Sequence, residues 1–438
     1  MNTEAIRQFF EEPANGWEAR GIGAFVRYIW PKSEPPRWRT PTKTLHAGSS
    51  RAFLGSVPTN SAHLVDRALD KVGKTFEECG FKVEPSPPCN VILWDMTFPT
   101  PEEWDLPFHL DRPCPVTFLA SDDGSSALIL LPTHDMGRFT EHDQAWLESS
   151  AIHEGFHALL GRWVGRSQIM QLRSRDYWTK FEEMCAVALE VKLLKQEKAW
   201  MDFGRSWQAT LGLSHCDNNW SVYLDPADGD FTNPVNREDY GHFALLAFLD
   251  EEVWSETTGH PHWLKVVWEE GRRLGPSVTP WEVLDRELKS HGGAIGLFLR
   301  YVVEATFPSK PKGVLAQLHN TFGRPASALL ERGSGLKFFA IGPMAAQLLT
   351  CRLDKGAPAG LIRIVDYRSL NDTVVRAFEV DHLRVPVEIE VGEPKIQGKS
   401  KIWEVNLGKL STHAFELELM VIQPNHAGRS LAFTAEWT

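Results

Sequence analysis

The chain has 438 residues, 42% apolar and 24% charged, with a formal net charge of −11. That is the make-up of an ordinary globular protein large enough for roughly two or three domains, and its negative balance argues against nucleic acid or an anionic membrane as a standing partner. No apolar run is long enough to span a bilayer, and residues 1–7 lack the apolar stretch of a secretory signal; the expectation is a cytoplasmic protein with reduced cysteines, the alternatives being secretion by an unconventional route or a trimmed chain.

In chain order, residues 1–42 combine a short helical stretch with Pro31, Pro35, Pro36 and Pro41, a proline density that predicts an extended segment lying on the domain that follows. Further along, Thr140 with Asp143 reads as an N-cap followed three residues on by an acid. From there to Gly161 no proline intervenes, and Gly155 is the one glycine. Ile152, Phe156, Leu159 and Trp163 recur at spacings of four, three and four, an apolar stripe that fixes a helix against a core. Inside this helix lies His153-Glu154-Gly155-Phe156-His157, the pattern His-Glu-x-x-His. Positions i and i+4 share a helix face, so both imidazoles can point at one metal ion, and Glu154 can take a proton from a water bound there. The competing reading is a buried helix with two hydrogen-bonded histidines, which would have no reason to carry a glutamate between them.

Residues 177–190 are rich in helix formers and predict a second helix, in which Glu182 and Glu183 are either functional or a charged, solvated helix start. Residues 236–246 begin another helix, with Asn236 as its N-cap. His260-Pro261-His262 is not helical, so its histidines read as loop residues. Thr279-Pro280-Trp281-Glu282 is a strong helix start, residues 295–304 form an apolar helix, and residues 308–313 break it. From about residue 335 the period changes to two. Val385, Val387, Ile389 and Val391 alternate with polar residues or proline, and so do Phe415, Leu417, Leu419 and Val421 with other neighbours, which predicts a small β-sandwich of about seven or eight strands. His46, His109, His134 and His142 stand alone, and the six cysteines include no Cys-x-x-Cys pair. A Gly-rich phosphate loop and a Gly-x-Ser-x-Gly elbow are both missing. Of the seventeen tryptophans, Trp146, Trp163 and Trp178 fall near the motif, as core or as the walls of an apolar pocket.

The two helices together resemble the gluzincin (thermolysin-like) clan of zinc metallopeptidases. The second is similar to the clan's Trp-x-x-Glu-Gly-x-Ala-x-x-x-Glu segment, through Glu183, Ala186 and Glu190, with Met184 in the glycine's place. Laid on that pattern, His153, His157 and Glu183 bind one catalytic Zn2+, Glu182 is the fallback ligand, and Glu190 falls two turns further along the face of Glu183. The resemblance further implies that residues 63–81 are the long helix opening the catalytic domain, followed by a strand at residues 90–94. It also implies that residues 127–132 are the edge strand on which an extended substrate pairs its backbone. The clan places a Tyr or His after the glutamate ligand to support the oxyanion; Tyr240 is the first choice here and His242 the second. An aminopeptidase of the clan would carry a Gly-x-Met-Glu-Asn-like segment, and residues 124–128 lack it.

The expectation is therefore an α+β protein: a Pro-rich segment at 1–42, a zincin-type domain with a mixed-sheet lobe and a helical lobe at 43–320, and an all-β sandwich at 335–438. Its expected activity is that of a zinc-dependent endopeptidase acting on peptide or protein substrates, with Glu154 as general base and later proton donor. Two rivals stand beside it, a zinc hydrolase acting on a non-peptide amide or biosynthetic intermediate and a non-catalytic protein-binding scaffold.

Overall fold

A computed structural model describes residues 17–22, 26–31, 61–82, 89–95, 115–119, 127–133, 141–194, 243–254, 261–325, 327–341, 344–353, 360–367, 372–381, 383–411, 413–424 and 431–438. Among the described residues the architecture mixes helices with three five-stranded sheets, an α+β protein, and no described helix is long and apolar enough to cross a membrane. The chain divides into two compact units, one of residues 1–201 and 257–280, the other of residues 202–256 and 281–438.

The first unit is built on a sheet with the order β1-β2-β3-β5-β4, where β1 is Trp17–Ile22, β2 Val26–Pro31, β3 Cys89–Asp95, β4 Val116–Leu119 and β5 Ala127–Thr133. β1 and β2 form an antiparallel hairpin, so part of the proline-rich segment enters the sheet instead of lying on it. β2, β3 and β5 run parallel, and β4 returns antiparallel to β5. This corrects one expectation. Residues 127–132 are not the edge: β5 is paired on both sides, and β4 is outermost among the described residues. The physical reason is visible in the composition, because Ala127, Ile129, Leu130 and Leu131 are all buried, as in a strand covered on both faces.

Among the described residues this unit also holds α1 (Ser61–Glu78), between β2 and β3, and, after the sheet, α2 (Glu141–Val164), α3 (Arg166–Arg173) and α4 (Asp176–Leu193). α2 starts directly after the predicted cap, and its stripe of Ile152, Phe156 and Leu159 is buried. Burying each such side chain contributes about 1.5–3 kcal/mol. α1 comes so near α2 that a Cβ at position 155 would lie 2.5 Å from Leu69 Cδ2. Gly155 therefore fills the variable place of the motif for reasons of helix packing. Phe156 packs on Phe76, and Trp163 meets Phe81 edge-on. After α5 (Phe243–Phe248), which belongs to the other unit, α6 (Trp263–Leu274) completes this one. Trp178 is buried against Trp268 and donates from Nε1 to the Val278 carbonyl at 2.9 Å, so it is core and not a pocket wall.

The second unit joins helices to strands. α5, α7 (Pro280–Glu287), α8 (Gly293–Thr306) and α9 (Val314–Phe322) precede β6 (Ser327–Leu329), β7 (Lys337–Ile341), β8 (Ala345–Arg352), β9 (Leu361–Asp366), β10 (Val374–Val380), β11 (Pro386–Ile389), β12 (Lys395–Gln397), β13 (Ser400–Asn406), β14 (Glu416–Gln423) and β15 (Leu431–Trp437). The strands form two five-stranded sheets, β11-β10-β14-β8-β6 and β12-β13-β9-β15-β7, instead of the seven or eight strands expected. Leu349, Leu417, Leu419 and Ala377 from one sheet and Ile362, Ile364, Trp403 and Phe433 from the other share a core, as in a sandwich. Leu417, Leu419 and Val421 of β14 face the shared core as their spacing predicts, whereas Val385, just before β11, and Val387 within it are each 52% exposed. β14 is buried along its whole length. Its outer side is covered within the unit, where Arg324 pairs with Glu418 at 2.6 Å and Phe307 packs on Phe378.

Candidate metal centre

Helical spacing sets His153 and His157 one turn apart on α2, and the helix is rigid there because its opposite side is buried core. α4 packs beside α2 and brings up three glutamates. Neighbours on a helix project about 100° apart while residues seven apart nearly coincide. Glu183 and Glu190 thus share a face, and Glu182 points elsewhere.

The Nε2 atoms of His153 and His157 lie 3.1 Å apart. Glu183 Oε2 is 3.1 Å from His153 Nε2, and Glu183 Oε1 is 3.5 Å from His157 Nε2. Ligand atoms of all three residues lie within 4.8 Å of one another, and among the described residues no other such group of His, Cys, Asp or Glu occurs. Each imidazole is gripped from behind. His153 Nδ1 is 2.7 Å from Glu190 Oε1, and His157 Nδ1 is 2.7 Å from Glu182 Oε1. A carboxylate only accepts, so both Nδ1 atoms carry hydrogen, and both Nε2 atoms turn inward, where each is left with a lone pair once its proton is removed. Two such lone pairs and a carboxylate repel unless positive charge sits among them. Tetrahedral zinc with Zn–N near 2.0–2.1 Å sets its ligand atoms about 3.3 Å apart. The donor set and its spacing fit that ion.

The two rear carboxylates are held differently. Arg173, at the end of α3, donates from Nε to Glu182 Oε2 at 2.8 Å and from Nη2 to Glu182 Oε1 at 2.6 Å. Glu190 is held by the hydroxyl of Ser149. Glu154 is buried beside the pair, and its Oε2 accepts from Thr117 Oγ1 on β4 at 2.8 Å.

The carboxylates draw positive charge to this point. Burial pushes both imidazoles down, yet hydrogen bonds to Glu183 and Glu190 raise His153 well above 6.5, and the charges of Glu183 and Glu182 lift His157 to about 9. Burial pushes Glu182 up, but Arg173 and His157 bring it down to about 2; against the same burial, His157 and His153 hold Glu183 well below 4.5. Glu154 moves the opposite way. Its burial, offset in part by His153, His157 and Thr117, raises it above 4.5.

Of the residues singled out in the sequence, His153, His157 and Glu183 converge, with Glu154 alongside. The fallback ligand Glu182 lies on the far nitrogen of His157, both of its oxygens engaged. Tyr240 and His242 lie outside the described residues, as do His46, His109 and His134. His262 caps α6, its Nδ1 accepting from the Leu264 N–H at 3.2 Å. Thr117 and Arg173 were not anticipated. The signal for Arg173 was the doublet Glu182-Glu183, since only one of two adjacent carboxylates can reach the inner nitrogens of the histidines and the other, buried behind them, needs its own cation. Nothing in the sequence distinguishes Thr117.

The chain matches no protein-family model, and no curated protein is similar to it. Among solved structures it is similar to the 1.0 Å crystal structure of the pre-peptidase C-terminal domain of collagenase from Bacillus anthracis, with 11% identity over 26% of this chain and 98% of that one, at a TM-score of 0.19. A likeness that slight carries no argument about fold or activity.

Proposed function

We propose that the protein is a zinc-dependent metallopeptidase of the gluzincin type, cleaving within peptide chains. The observation that supports this reading is the inward convergence of two imidazole Nε2 atoms 3.1 Å apart on the carboxylate of Glu183, each imidazole anchored from behind. On this reading the first sheet with α2 and α4 is the core of a zincin-type catalytic domain, and β4 is the strand that an extended substrate joins.

His153, His157 and Glu183 would hold the ion. Zinc bound there supplies a water of pKa near 7 and polarises the carbonyl under attack. Glu154 takes the proton of the attacking water and later hands it to the leaving amine; burial, which raises its pKa above 4.5, makes it a stronger base for the first step. Thr117 keeps the Glu154 carboxylate aimed. Tyr240, with His242 as second choice, is carried forward from the sequence as the donor to the oxyanion.

Metal analysis of the purified protein, joined to digestion of a peptide library, tests the proposal. Stoichiometric zinc and internal cleavage are expected. Glu154→Gln should keep the zinc and lose roughly 10²- to 10⁴-fold in rate, and Tyr240→Phe should slow cleavage with the metal in place. A zinc protein that cleaves no peptide points instead to a non-peptide amide. A wild-type chain without metal, or a fully active Glu154→Gln, overturns the mechanism.

A further inference from the structure

Resting on the zinc reading above, we propose that Arg173 is a positioning residue of the metal centre, acting through Glu182 on His157. The guanidinium engages both oxygens of Glu182, and Glu182 Oε1 also accepts from His157 Nδ1. Three consequences follow from that geometry. The Nδ1 hydrogen is fixed, so His157 offers its Nε2 lone pair to the ion. The imidazole plane is fixed, because its rear partner is held by a planar fork and not by one flexible donor. Glu182, 1% exposed, is also kept from competing with Glu183 for the cation.

The contrast within the site sharpens the inference. Glu190, which anchors His153, is held by the neutral hydroxyl of Ser149, whereas Glu182 is held by a full positive charge. Glu182 is the more deeply buried of the two and adjoins a ligand. Without the guanidinium both of its oxygens lose the fork that fixes them, and the carboxylate can swing off His157 toward the ion. The same cation also lies within electrostatic reach of Glu183 and Glu154, so it offsets part of the negative charge that four clustered carboxylates build up.

The test measures zinc affinity of the full chain by competition with a chromophoric chelator, and the visible spectrum of the cobalt(II)-substituted protein, for wild type, Arg173→Met, Arg173→Lys, Glu182→Gln and the Met/Gln double variant. Arg173→Met and Glu182→Gln are each expected to weaken zinc binding roughly 10- to 100-fold and to shift the cobalt bands. The double variant should bind no more weakly than Glu182→Gln, because the arginine works through the glutamate. Arg173→Lys should recover only part of the affinity, since an ammonium does not hold both oxygens. A merely structural arginine would lower the thermal stability of the metal-stripped chain and leave the cobalt bands where they are. Such unchanged bands with wild-type zinc affinity in Arg173→Met overturn the proposal. Losses that multiply in the double variant overturn it as well. If Arg173→Met does not fold, wild-type affinity in Arg173→Lys overturns it. A wild-type chain that binds no zinc removes the metal reading itself, whereas a zinc-binding wild type indifferent to Arg173 removes only this inference.

Discussion

The hydroxyl of Thr117 lies 2.8 Å from Oε2 of Glu154 and 2.9 Å from the Glu154 carbonyl oxygen, tying the outermost strand β4 to the proposed base. A hydrogen bond to a charged group contributes about 1.5–3 kcal/mol. Thr117→Val is therefore expected to lower kcat/KM roughly 10- to 100-fold while zinc stays bound. The hydroxyl favours the ionised carboxylate, so its loss should move the acid limb of the pH–rate profile to higher pH. Thr117→Ser should behave like the wild type. An unmoved acid limb in the valine variant would show that the hydroxyl does not bear on the base.

Metal uptake should be coupled to protons. In protein stripped of metal His157 holds its proton up to about 9, and zinc must displace it. Calorimetry in buffers of different ionisation heat is expected to show proton release at pH 7, with apparent zinc affinity climbing until about pH 9. The same group sets a stability window. Its folded value lies above the ordinary 6.5, so the stripped protein keeps this contribution below 6.5 and loses it as pH rises through about 9. Zinc-loaded protein should not show that loss. Equal pH dependence with and without metal would contradict the arrangement.

Gly155 faces α1, where an added Cβ would meet Leu69 Cδ2 at 2.5 Å. Alanine favours a helix interior over glycine by about 1 kcal/mol, but overpacking costs about 1–3 kcal/mol. Gly155→Ala should destabilise the protein in chemical denaturation, and the same change in a Leu69→Ala background should be neutral or favourable. Destabilisation of equal size in both backgrounds would mean that the close approach is not its cause.

In the second unit, burial raises the carboxyl of Glu418 above 4.5 in spite of Arg324. A raised folded value means a contribution that is complete below the unfolded value of about 4.5 and lost as pH rises through the folded one. Glu418→Gln removes that titration. The stability of the wild type relative to this variant should thus be greater at pH 5 than at pH 8 in denaturant titrations. A difference that grows toward high pH would refute the assignment.

The parts of the site that lie close together along the chain were legible in advance. α2 declares itself by a cap, an apolar stripe and an uninterrupted run, and Glu183 and Glu190 declare their shared face by seven-residue spacing. The contacts that cross between elements were not. Thr117 reaches Glu154 from a four-residue strand with no alternation to mark it, and Arg173 reaches Glu182 across a helix junction. Periodicity also says which residues share a face without saying what covers it. The continuous apolar run of β5 belongs to a strand flanked on both sides, and of the alternating run around β11, Val385 and Val387 are exposed while Ile389 and Val391 pack on the core. In the proline-rich segment, β1 and β2 precede most of the prolines, which gave no hint of a hairpin.

The double covering of β14 has a bearing on how the C-terminal half can be handled. Its eight residues are buried, with Arg324 on Glu418, and Phe307 packs on Phe378 of the neighbouring β10; both Arg324 and Phe307 come before the first strand of the sandwich. A fragment started at residue 327 would carry Glu418 stripped of its counter-charge and Phe378 without the Phe307 ring that packs on it. A fragment ended there would deprive Phe307 and Arg324 of Phe378 and Glu418. Excising the strands as a portable module should therefore yield insoluble or unstable material, and a soluble recombinant fragment should begin upstream of α7.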